Sequence, residues 1–240
     1  MSRTIVILQS NYLPWKGYLD LMNAADLFVV YDEVQFTRRD WRNRNKIVID
    51  GQPHWLTIPV ETKNKYLASV RDVCVVDGRW AAKHWASIRH AYRNAQCFSS
   101  YESELARLYE QAGELTHLSD INELFLRFLA DKFGIDTAFA RSDAVPRHSD
   151  DPTVRLVEIC RAFAGDTYLS GPAAMGYIDP LLFEAAGIRL VYADYSGYPS
   201  YEQGGASFEH GVSALDILLR FGSAARQHLK SVGGLEGLVA

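Results

Sequence analysis

Two unbroken apolar runs near the N-terminus constrain the fold most. Thr4 to Leu8 and Leu27 to Tyr31 are rich in β-branched and apolar residues, which is typical of strands buried on both faces of a parallel sheet. The segment between them carries Leu19 and Met22 at helical spacing. A strand, a helix and a second strand in this order predict two neighbouring parallel strands, and therefore an α/β protein.

Later segments extend this pattern. Asn45 to Ile49 and His54 to Pro59 flank Asp50-Gly51, which predicts an antiparallel hairpin. From about residue 77 the apolar period changes to 3.6, which predicts a series of helices, and residues 167–170 and 189–192 predict strands of a second α/β unit. The predicted fold is a mainly parallel, Rossmann-like α/β sheet with an added β-hairpin and a helical middle section.

The predicted domain organisation is simple. Residues 1–240, of which 48% are hydrophobic, are expected to form one α/β domain with a helical insertion at about 77–135. The polar, proline-bracketed segment 144–152 is predicted to be an internal linker. The glycine-rich end that begins at Gly233 predicts a frayed terminus.

Composition and charge exclude several classes of function. A net charge of -4 is too balanced for a general nucleic-acid or membrane surface, so no nucleic-acid partner is expected. No apolar run approaches the roughly 20 residues of a membrane span, and the N-terminus is interpreted as a first strand rather than a signal peptide, which predicts a cytoplasmic protein. The 3 cysteines are widely spaced and form no CxxC pair, which argues against a disulfide framework and a metal site.

The loop after the first predicted strand, QSNYLPWKGY, is the first candidate binding segment. It offers the amides of Gln9 and Asn11, the hydroxyl of Tyr12 and the indole of Trp15. Gly17 and Tyr18 follow at the helix start, where free backbone N–H groups suit an anionic or polar small molecule. The alternative is that residues 12–15 plug the top of the sheet and Asn11 caps a turn.

The second candidate segment begins at Asp32, directly after the second predicted strand, and continues through Gln35 into RRDWRNRNK. A carboxylate at the end of a buried strand can act as a base or hold a substrate amine, and it can equally pair with an arginine or cap a turn. Arg44, Asn45 and Lys46 are the predicted ligands for an anionic group. Arg38 and Arg39 are predicted to be solvated, and Trp41 is predicted either to stack a ring or to anchor the hairpin.

The third candidate segment is the tyrosine-rich loop from Tyr192 to Gln203. Its aromatic and amide side chains suit the faces and hydroxyls of a sugar or an adenine ring, and Tyr201 and Gln203 are predicted to reach the site. His84 and His90 are six positions apart and do not share a helix face as metal ligands would, so no metal site is predicted.

Two resemblances add context. Trp15-Lys16-Gly17-Tyr18 resembles the H-x-G-H motif of nucleotidylyl transferases and pantothenate synthetase with both histidines replaced. Because the histidines contact the ATP phosphates in those enzymes, their replacement weakens the hypothesis that this chain binds ATP. The family resemblance is carried by QSNYLPWKGYLDLMNAADLFVVYDEVQFTRRDWRNRNKI, WLTIPV, YLSGPAAMGYID, YEQ and FEHGVSALDIL, which together resemble the WbqC-like family over nearly the whole chain. The matching positions are Gln9, Tyr12, Leu13, Pro14, Trp15, Gly17, Tyr18, Asp32, Gln35, Arg44, Asn45, Lys46, Pro59, Gly171, Tyr201, Gln203 and Asp216.

The resemblance implies a role in surface-polysaccharide biosynthesis and no single reaction. The function predicted here is a transferase or ligase that joins an activated acyl or aminoacyl group to an amine on a small metabolite or amino-sugar nucleotide. Its donor would be ATP-derived or a thioester on an acyl carrier protein. Asp32 would be the base, and the amides of Gln9 and Asn11 would polarise a carbonyl. The alternative is a non-catalytic protein that binds a nucleotide sugar or assists assembly in the same kind of pathway.

Overall fold

The computed structural model describes residues 2–61, 67–205 and 207–239. Strands and helices alternate at both ends of the chain, and three long helices occupy its middle. The strands are β1 (Thr4–Leu8), β2 (Leu27–Val30), β3 (Arg44–Ile49), β4 (Gln52–Thr57), β5 (Ala138–Arg141), β6 (Thr167–Ser170) and β7 (Arg189–Tyr192). The helices are α1 (Lys16–Asn23), α2 (Arg79–Tyr92), α3 (Phe98–Gly113), α4 (Leu118–Lys132), α5 (Pro152–Ala162), α6 (Pro180–Ala185) and α7 (Leu215–Phe221).

Five parallel strands form the main sheet, in the order β5-β2-β1-β6-β7. Strands β1 and β2 are direct neighbours, with Ile5 opposite Leu27 and Leu8 opposite Val30, which confirms the first sequence prediction. Strand β5 was not predicted. It is a four-residue edge strand whose side chains are half-buried or exposed, so it lacks the continuous apolar run that marks the central strands.

The sheet separates two apolar layers because successive side chains of a strand point to opposite faces. Val6 and Phe28 pack into the larger layer, which also contains α1, the middle helices, the hairpin and α7. Ile5, Ile7 and Val29 pack into the smaller layer with α5 and α6. Burial on both faces explains why β1 and β2 consist of uninterrupted apolar residues.

Strands β3 and β4 form a separate antiparallel hairpin, as predicted. Its turn residues Asp50 and Gly51 have φ angles of 49° and 73°, the left-handed conformation that a two-residue hairpin turn requires. A side chain on Gly51 would also collide with the backbone of Gly205, 2.5 Å away. Helices α2, α3 and α4 then supply the helical middle section.

The segment 144–152 ends in a helix cap. The Asp151 carboxylate accepts hydrogen bonds from the backbone N–H groups of Thr153 and Val154, and Pro152 occupies the first turn of α5. The frayed terminus was a wrong prediction. Leu238 is fully buried and its carbonyl accepts a hydrogen bond from the backbone of Asp194, while Ala240 lies outside the described residues.

The strand order determines where a ligand site is expected. The chain runs outward from β1 through β2 to β5 and then returns to the other side of β1 with β6. In open α/β sheets, ligands bind at the carboxyl ends of the two strands where the order reverses, which here are β1 and β6. No helix in the described part of the chain is both long enough and apolar enough to cross a bilayer.

Candidate functional site

A cleft of about 580 Å³ opens at the carboxyl ends of β1 and β6. Its walls combine aromatic rings with a few polar groups, as is usual for small-molecule sites. The lining residues are Ile7, Leu8, Gln9, Asn11, Trp15, Tyr18, Leu21, Tyr31, Val34, Trp41, Arg42, Pro152, Leu156, Tyr168, Ser170, Gly171, Pro172, Ala173, Tyr177 and Tyr195. Four predicted site residues, Gln9, Asn11, Trp15 and Tyr18, therefore face one cavity.

Strand β3 of the hairpin holds the loop after β1 in place through Asn45. The buried amide of Asn45 donates hydrogen bonds to the carbonyls of Tyr12 at 3.3 Å and Leu13 at 2.7 Å. Leu13 has a φ of 45°, an uncommon conformation for a leucine, so these bonds support a sharp turn. Asn45 is thus placed as a support of the loop and does not line the cleft.

Trp15 forms one wall of the cleft together with Tyr195. The two rings meet edge to face with centroids 4.9 Å apart. The Trp15 indole lies directly on the start of α1, where a side chain at Gly17 would come within 2.3 Å of the ring. Gly17 therefore serves the site by making room for Trp15. The Tyr18 hydroxyl donates a hydrogen bond to the Gln9 carbonyl at 2.9 Å and fixes the loop from the helix side.

Arg42 provides the charge of the cleft, since the other described lining residues are neutral. Its Nη1 pairs with the carboxylate of Asp40, while its buried Nε has no hydrogen-bond partner. Burial would raise the pKa of Asp40, but the Thr37 hydroxyl and the Arg42 charge outweigh it and keep the carboxyl ionised. A guanidinium has five N–H donors, so Arg42 retains donors for an anion after this pairing.

The amides of Gln9 and Asn11 are the other polar groups that the sequence predicted here. Within the described part of the chain, neither side chain makes a hydrogen bond, so both have donors and acceptors to offer a ligand. Burial raises the pKa of the lining phenols Tyr31 and Tyr177, so they remain protonated at neutral pH. The described lining contains no carboxylate, imidazole, thiol or amine.

Asp32 lies outside this lining. It is 4% exposed and borders a separate, small cavity with Ser119 and Arg141. Its carboxylate accepts hydrogen bonds from the Ser10 backbone at 2.8 Å, the Ser10 hydroxyl at 2.6 Å and the Ser119 hydroxyl. Burial raises the pKa of Asp32, and these hydrogen bonds offset part of that rise. The carboxylate thus ties the loop after β1 to helix α4.

Tyr12 and Gln35 also lie outside the cleft. Tyr12 is fully buried, and its hydroxyl contacts His84 Nδ1 at 2.9 Å and the Tyr109 hydroxyl at 2.7 Å. Burial lowers the pKa of His84 to about 4, so this ring is neutral. Gln35 is exposed and pairs through its backbone with Ser69.

The predicted residues of the C-terminal loop gather elsewhere, in a packed group that we call the Lys16 cluster. It consists of Lys16, Tyr198, Tyr201, Gln203, Phe208, Glu209, His210, Asp216 and Arg220. Lys16 is 2% exposed, and its ammonium lies 4.7 Å from the Tyr198 ring centre and contacts His210 Nδ1 at 3.3 Å. Burial lowers the pKa of Lys16 to about 8, although the carboxylates of Asp20 and Asp216 oppose the shift.

Gln203 connects two other members of this cluster, Tyr201 and Glu209, through hydrogen bonds. Its amide donates to the Tyr201 hydroxyl and to the carbonyl of Glu209, both at 3.2 Å, and its carbonyl accepts the Glu209 N–H at 2.9 Å. Arg220 pairs with the fully buried Asp216 at 3.1 Å. Tyr201 and Gln203 are therefore placed inside a packed, hydrogen-bonded interior and not in the cleft.

Arg44 and Lys46 lie on the outer face of the hairpin. The Arg44 guanidinium stacks 4.0 Å from the centre of the Trp55 ring, and the Lys46 ammonium pairs with Glu209 at 3.1 Å. Both residues follow Trp41 and Arg42 in the chain, but neither lines the cleft.

The sequence analysis did not predict four of the residues that line the cleft, which are Arg42, Ser170, Gly171 and Tyr177. Arg42 was one of five basic residues in a short stretch, and only tertiary contacts decide which of them turns inward. Ser170 and Gly171 carried a usable signal, because they end the strand that lies beside β1 at the point where the strand order reverses. Among the described residues, no group of at least 3 His, Cys, Asp or Glu side chains is placed to hold a metal ion.

Comparison with known proteins places the chain in a family. The model of the WbqC-like protein family matches residues 9–228. A Mycobacterium tuberculosis protein described as the uncharacterized protein Rv1507c is 36% identical over 228 residues, which cover 95% of this chain and 98% of that relative. No solved structure matches. The family match includes the loop after β1, Arg42 and the loop after β6, and the chain belongs to the WbqC-like protein family.

Proposed function

We propose that the protein binds an anionic small metabolite of the nucleotide-sugar class in the cleft, and that it works in polysaccharide-type biosynthesis in the cytoplasm. One observation carries the proposal. The cleft at the β1–β6 switch point joins aromatic walls to the guanidinium of Arg42, which pairs with Asp40 through one nitrogen, and to the two amides of Gln9 and Asn11. A nucleotide sugar presents flat rings, hydroxyls and phosphates, which are the groups that this combination recognises.

Arg42 is the anion contact in this proposal. Its side chain is 21% exposed, and the Nη hydrogens that remain after pairing with Asp40 can donate to phosphate oxygens. Such charge-assisted bonds are short and strong. The position of Arg42 is fixed because Asn122 Nδ2 donates to its carbonyl at 2.9 Å and Asp40 holds its Nη1. The amides of Gln9 and Asn11 would then read hydroxyl or carbonyl groups of the same ligand.

A transferase or ligase that forms an amide is the second candidate. It is favoured by the amides of Gln9 and Asn11 beside Arg42, because such donors can polarise a carbonyl and stabilise the oxyanion that forms on it. The acyl donor would be an ATP-derived adenylate or a thioester on an acyl carrier protein. A base role for Asp32 stays a prediction, and it requires the acceptor amine to reach a carboxylate that lies outside the cleft.

Calorimetric titration with UDP, ADP, GDP and UDP-N-acetylglucosamine tests the binding proposal. We expect saturable binding that Arg42→Gln weakens by about tenfold to a hundredfold, since a charged hydrogen bond contributes about 1.5–3 kcal/mol. Arg39→Gln is the matched control, because Arg39 is exposed and lies outside the cleft. Equal effects of the two substitutions, or no binding by the wild type, would contradict the proposal.

A turnover assay separates the two candidates. The protein is incubated with ATP, amino acids and amino-sugar nucleotides, and the products are analysed for a new amide together with AMP or ADP. An amide that Arg42→Gln diminishes favours the ligase. Ligand binding without a product in this assay, and also with an acyl-thioester donor, favours the non-catalytic binding protein.

A further inference from the structure

Two tryptophans are exposed at the surface next to the cleft. Trp41 is 39% exposed and Trp55 is 44% exposed, and their ring centres are 5.4 Å apart with an angle of 37° between the planes. Exposed aromatic rings that contact each other form a continuous apolar surface, which is typical of a binding site. The proposed function above assigns no specific ligand contact to either ring.

Arg44 lies on the other side of Trp55, so that Arg44, Trp55 and Trp41 form a row. Its guanidinium lies 4.0 Å from the centre of the Trp55 ring, and its buried Nε has no hydrogen-bond partner. Stacking therefore accounts for the position of the guanidinium. Because Lys46 pairs with Trp55 across the hairpin, Arg44 and Trp55 project from the same face of the two strands. Arg44 and Trp55 are thus held by regular β structure, and Trp41 packs against Trp55 from the turn before β3.

The other end of the row reaches the cleft, because Trp41 is also one of its lining residues. The Trp41 backbone is held firmly, since its carbonyl accepts the N–H of Tyr12 at 3.0 Å and its own N–H donates to Asp40 at 2.7 Å. Arg42, the charged residue of the cleft lining, is its neighbour in the chain. A flat ring surface and an anion contact are therefore presented side by side.

We infer that Trp41 is the stacking platform for the nucleobase of the ligand, with Trp55 and Arg44 as its support, while Arg42 contacts the phosphate. This inference rests on the proposed function and adds the orientation of the ligand, with its base at the mouth of the cleft. A base and a phosphate joined through one ribose match an aromatic ring and a guanidinium on consecutive residues. Stacking tolerates any base, so uracil, adenine and guanine should bind with similar affinity.

Nucleoside diphosphates and a ligand without a base test this assignment. UDP, ADP, GDP and ribose 5-phosphate are titrated into the wild type, Trp41→Leu and Arg42→Gln. Trp41→Leu should weaken the three nucleotides by between about fivefold and a hundredfold and leave ribose 5-phosphate within about twofold of the wild type. Arg42→Gln should weaken all four. Leu181→Ala, another exposed apolar residue, is the control and should change none of them.

Trp55→Leu is the second variant. It removes the ring that supports Trp41 without replacing a residue of the cleft lining, so its effect on nucleotide affinity should be smaller than that of Trp41→Leu and in the same direction. Melting temperatures close to the wild type show that both variants fold, as expected for half-exposed side chains.

The outcomes separate the two proposals. Nucleotide binding that depends on Arg42 but not on Trp41 overturns the stacking inference and leaves the proposed function standing. An equal loss of ribose 5-phosphate and nucleotide affinity in Trp41→Leu also overturns the inference, because Trp41 would then only shape the cleft. If the wild type binds none of the three nucleotides, both proposals fail.

Discussion

Trp15 and Lys16 are neighbours in the chain, yet they lead to two different environments. Trp15 lines the cleft, where the guanidinium of Arg42 and the amides of Gln9 and Asn11 keep unused hydrogen-bonding groups. Lys16 is buried in the Lys16 cluster, where aromatic rings, His210 and hydrogen-bonded side chains surround it. Aromatic, amide and charged residues thus occur in both places, and only the number of unused groups and the open volume distinguish them.

The difference follows from solvent access and pairing. A buried polar group is costly unless it has partners, so the interior of a folded protein pairs its polar groups and a binding site leaves some of them unpaired. In the Lys16 cluster, Asp216 pairs with Arg220 and Glu209 pairs with Lys46. We therefore assign ligand binding to the cleft and fold stability to the Lys16 cluster. The following variants test this assignment.

The largest effect is expected for Lys16→Met, measured as the free energy of unfolding at several pH values. The folded-state pKa of Lys16 is about 8, below its ordinary value of 10.5, so the unfolded chain binds more protons between these values. Stability due to this group therefore rises as the pH increases from 8 to 10.5, by about 3 kcal/mol for the wild type and not for the variant.

At pH 7 the methionine variant should accordingly be as stable as the wild type or more so, and its ligand affinity should be unchanged. A variant that is much less stable at pH 7, with a difference that does not vary with pH, would show that the ammonium stabilises the fold. A loss of ligand affinity would move Lys16 into the binding site.

Asp32→Asn is expected to lower the free energy of unfolding by about 1–3 kcal/mol. The new NH2 group faces hydroxyls that now donate to the carboxylate, so at least one hydrogen bond must rearrange. Chemical denaturation of this variant and of Ser119→Ala, which removes one donor to the same carboxylate, measures the effect.

The same pair of variants tests the catalytic hypothesis for Asp32. If the ligase assay gives turnover, a general base at this position predicts a loss of about a hundredfold or more in Asp32→Asn and little change in Ser119→Ala. Equal turnover in both variants would leave Asp32 with a structural role only.

The smallest effects are expected for substitutions of the side-chain amides. Because amides occur both in the cleft and in the Lys16 cluster, these variants compare the two regions directly. Gln9→Ala and Asn11→Ala should each weaken the ligand by about threefold to tenfold without changing stability, because one hydrogen bond contributes about 1 kcal/mol. Gln203→Ala should lower the free energy of unfolding and leave the ligand affinity unchanged, since its amide is hydrogen-bonded within the Lys16 cluster. Titration and denaturation of all three variants check this, and a ligand effect of Gln203→Ala equal to that of Gln9→Ala would contradict the assignment.

The central sheet was predictable from sequence because β1 and β2 are buried on both faces and therefore carry uninterrupted apolar runs. The hairpin was predictable because Asp50-Gly51 can adopt the required turn. Strand β5 and the C-terminal segment could not be predicted in this way. Their positions depend on a neighbouring strand and on contacts such as that of Leu238 with Asp194, which leave no local pattern.

The site was predictable only in part, for the same physical reason. The loop after β1 lies at the end of a central strand, so Gln9 and Asn11 could be placed from topology. The direction in which Lys16 points depends on neighbours that are distant in sequence, such as His210. Arg42 pairs with the nearby Asp40, but the tertiary fold decides which residue of the basic stretch lines the cleft. Residue type identified the groups that could bind a ligand, while tertiary packing decided which of them remain unused.

A titration of the 15N-labelled protein with UDP, followed through the shifts of its backbone amide signals, tests the central claim most directly. The chain has a mass of 27.0 kDa, which allows such spectra to be assigned. The cleft assignment predicts the largest shifts at Gln9, Asn11 and Gly171, with the signals of Gln203 and His210 nearly unchanged. Large shifts at Gln203 and His210 without shifts at Gln9 and Gly171 would contradict it and place the ligand in the Lys16 cluster.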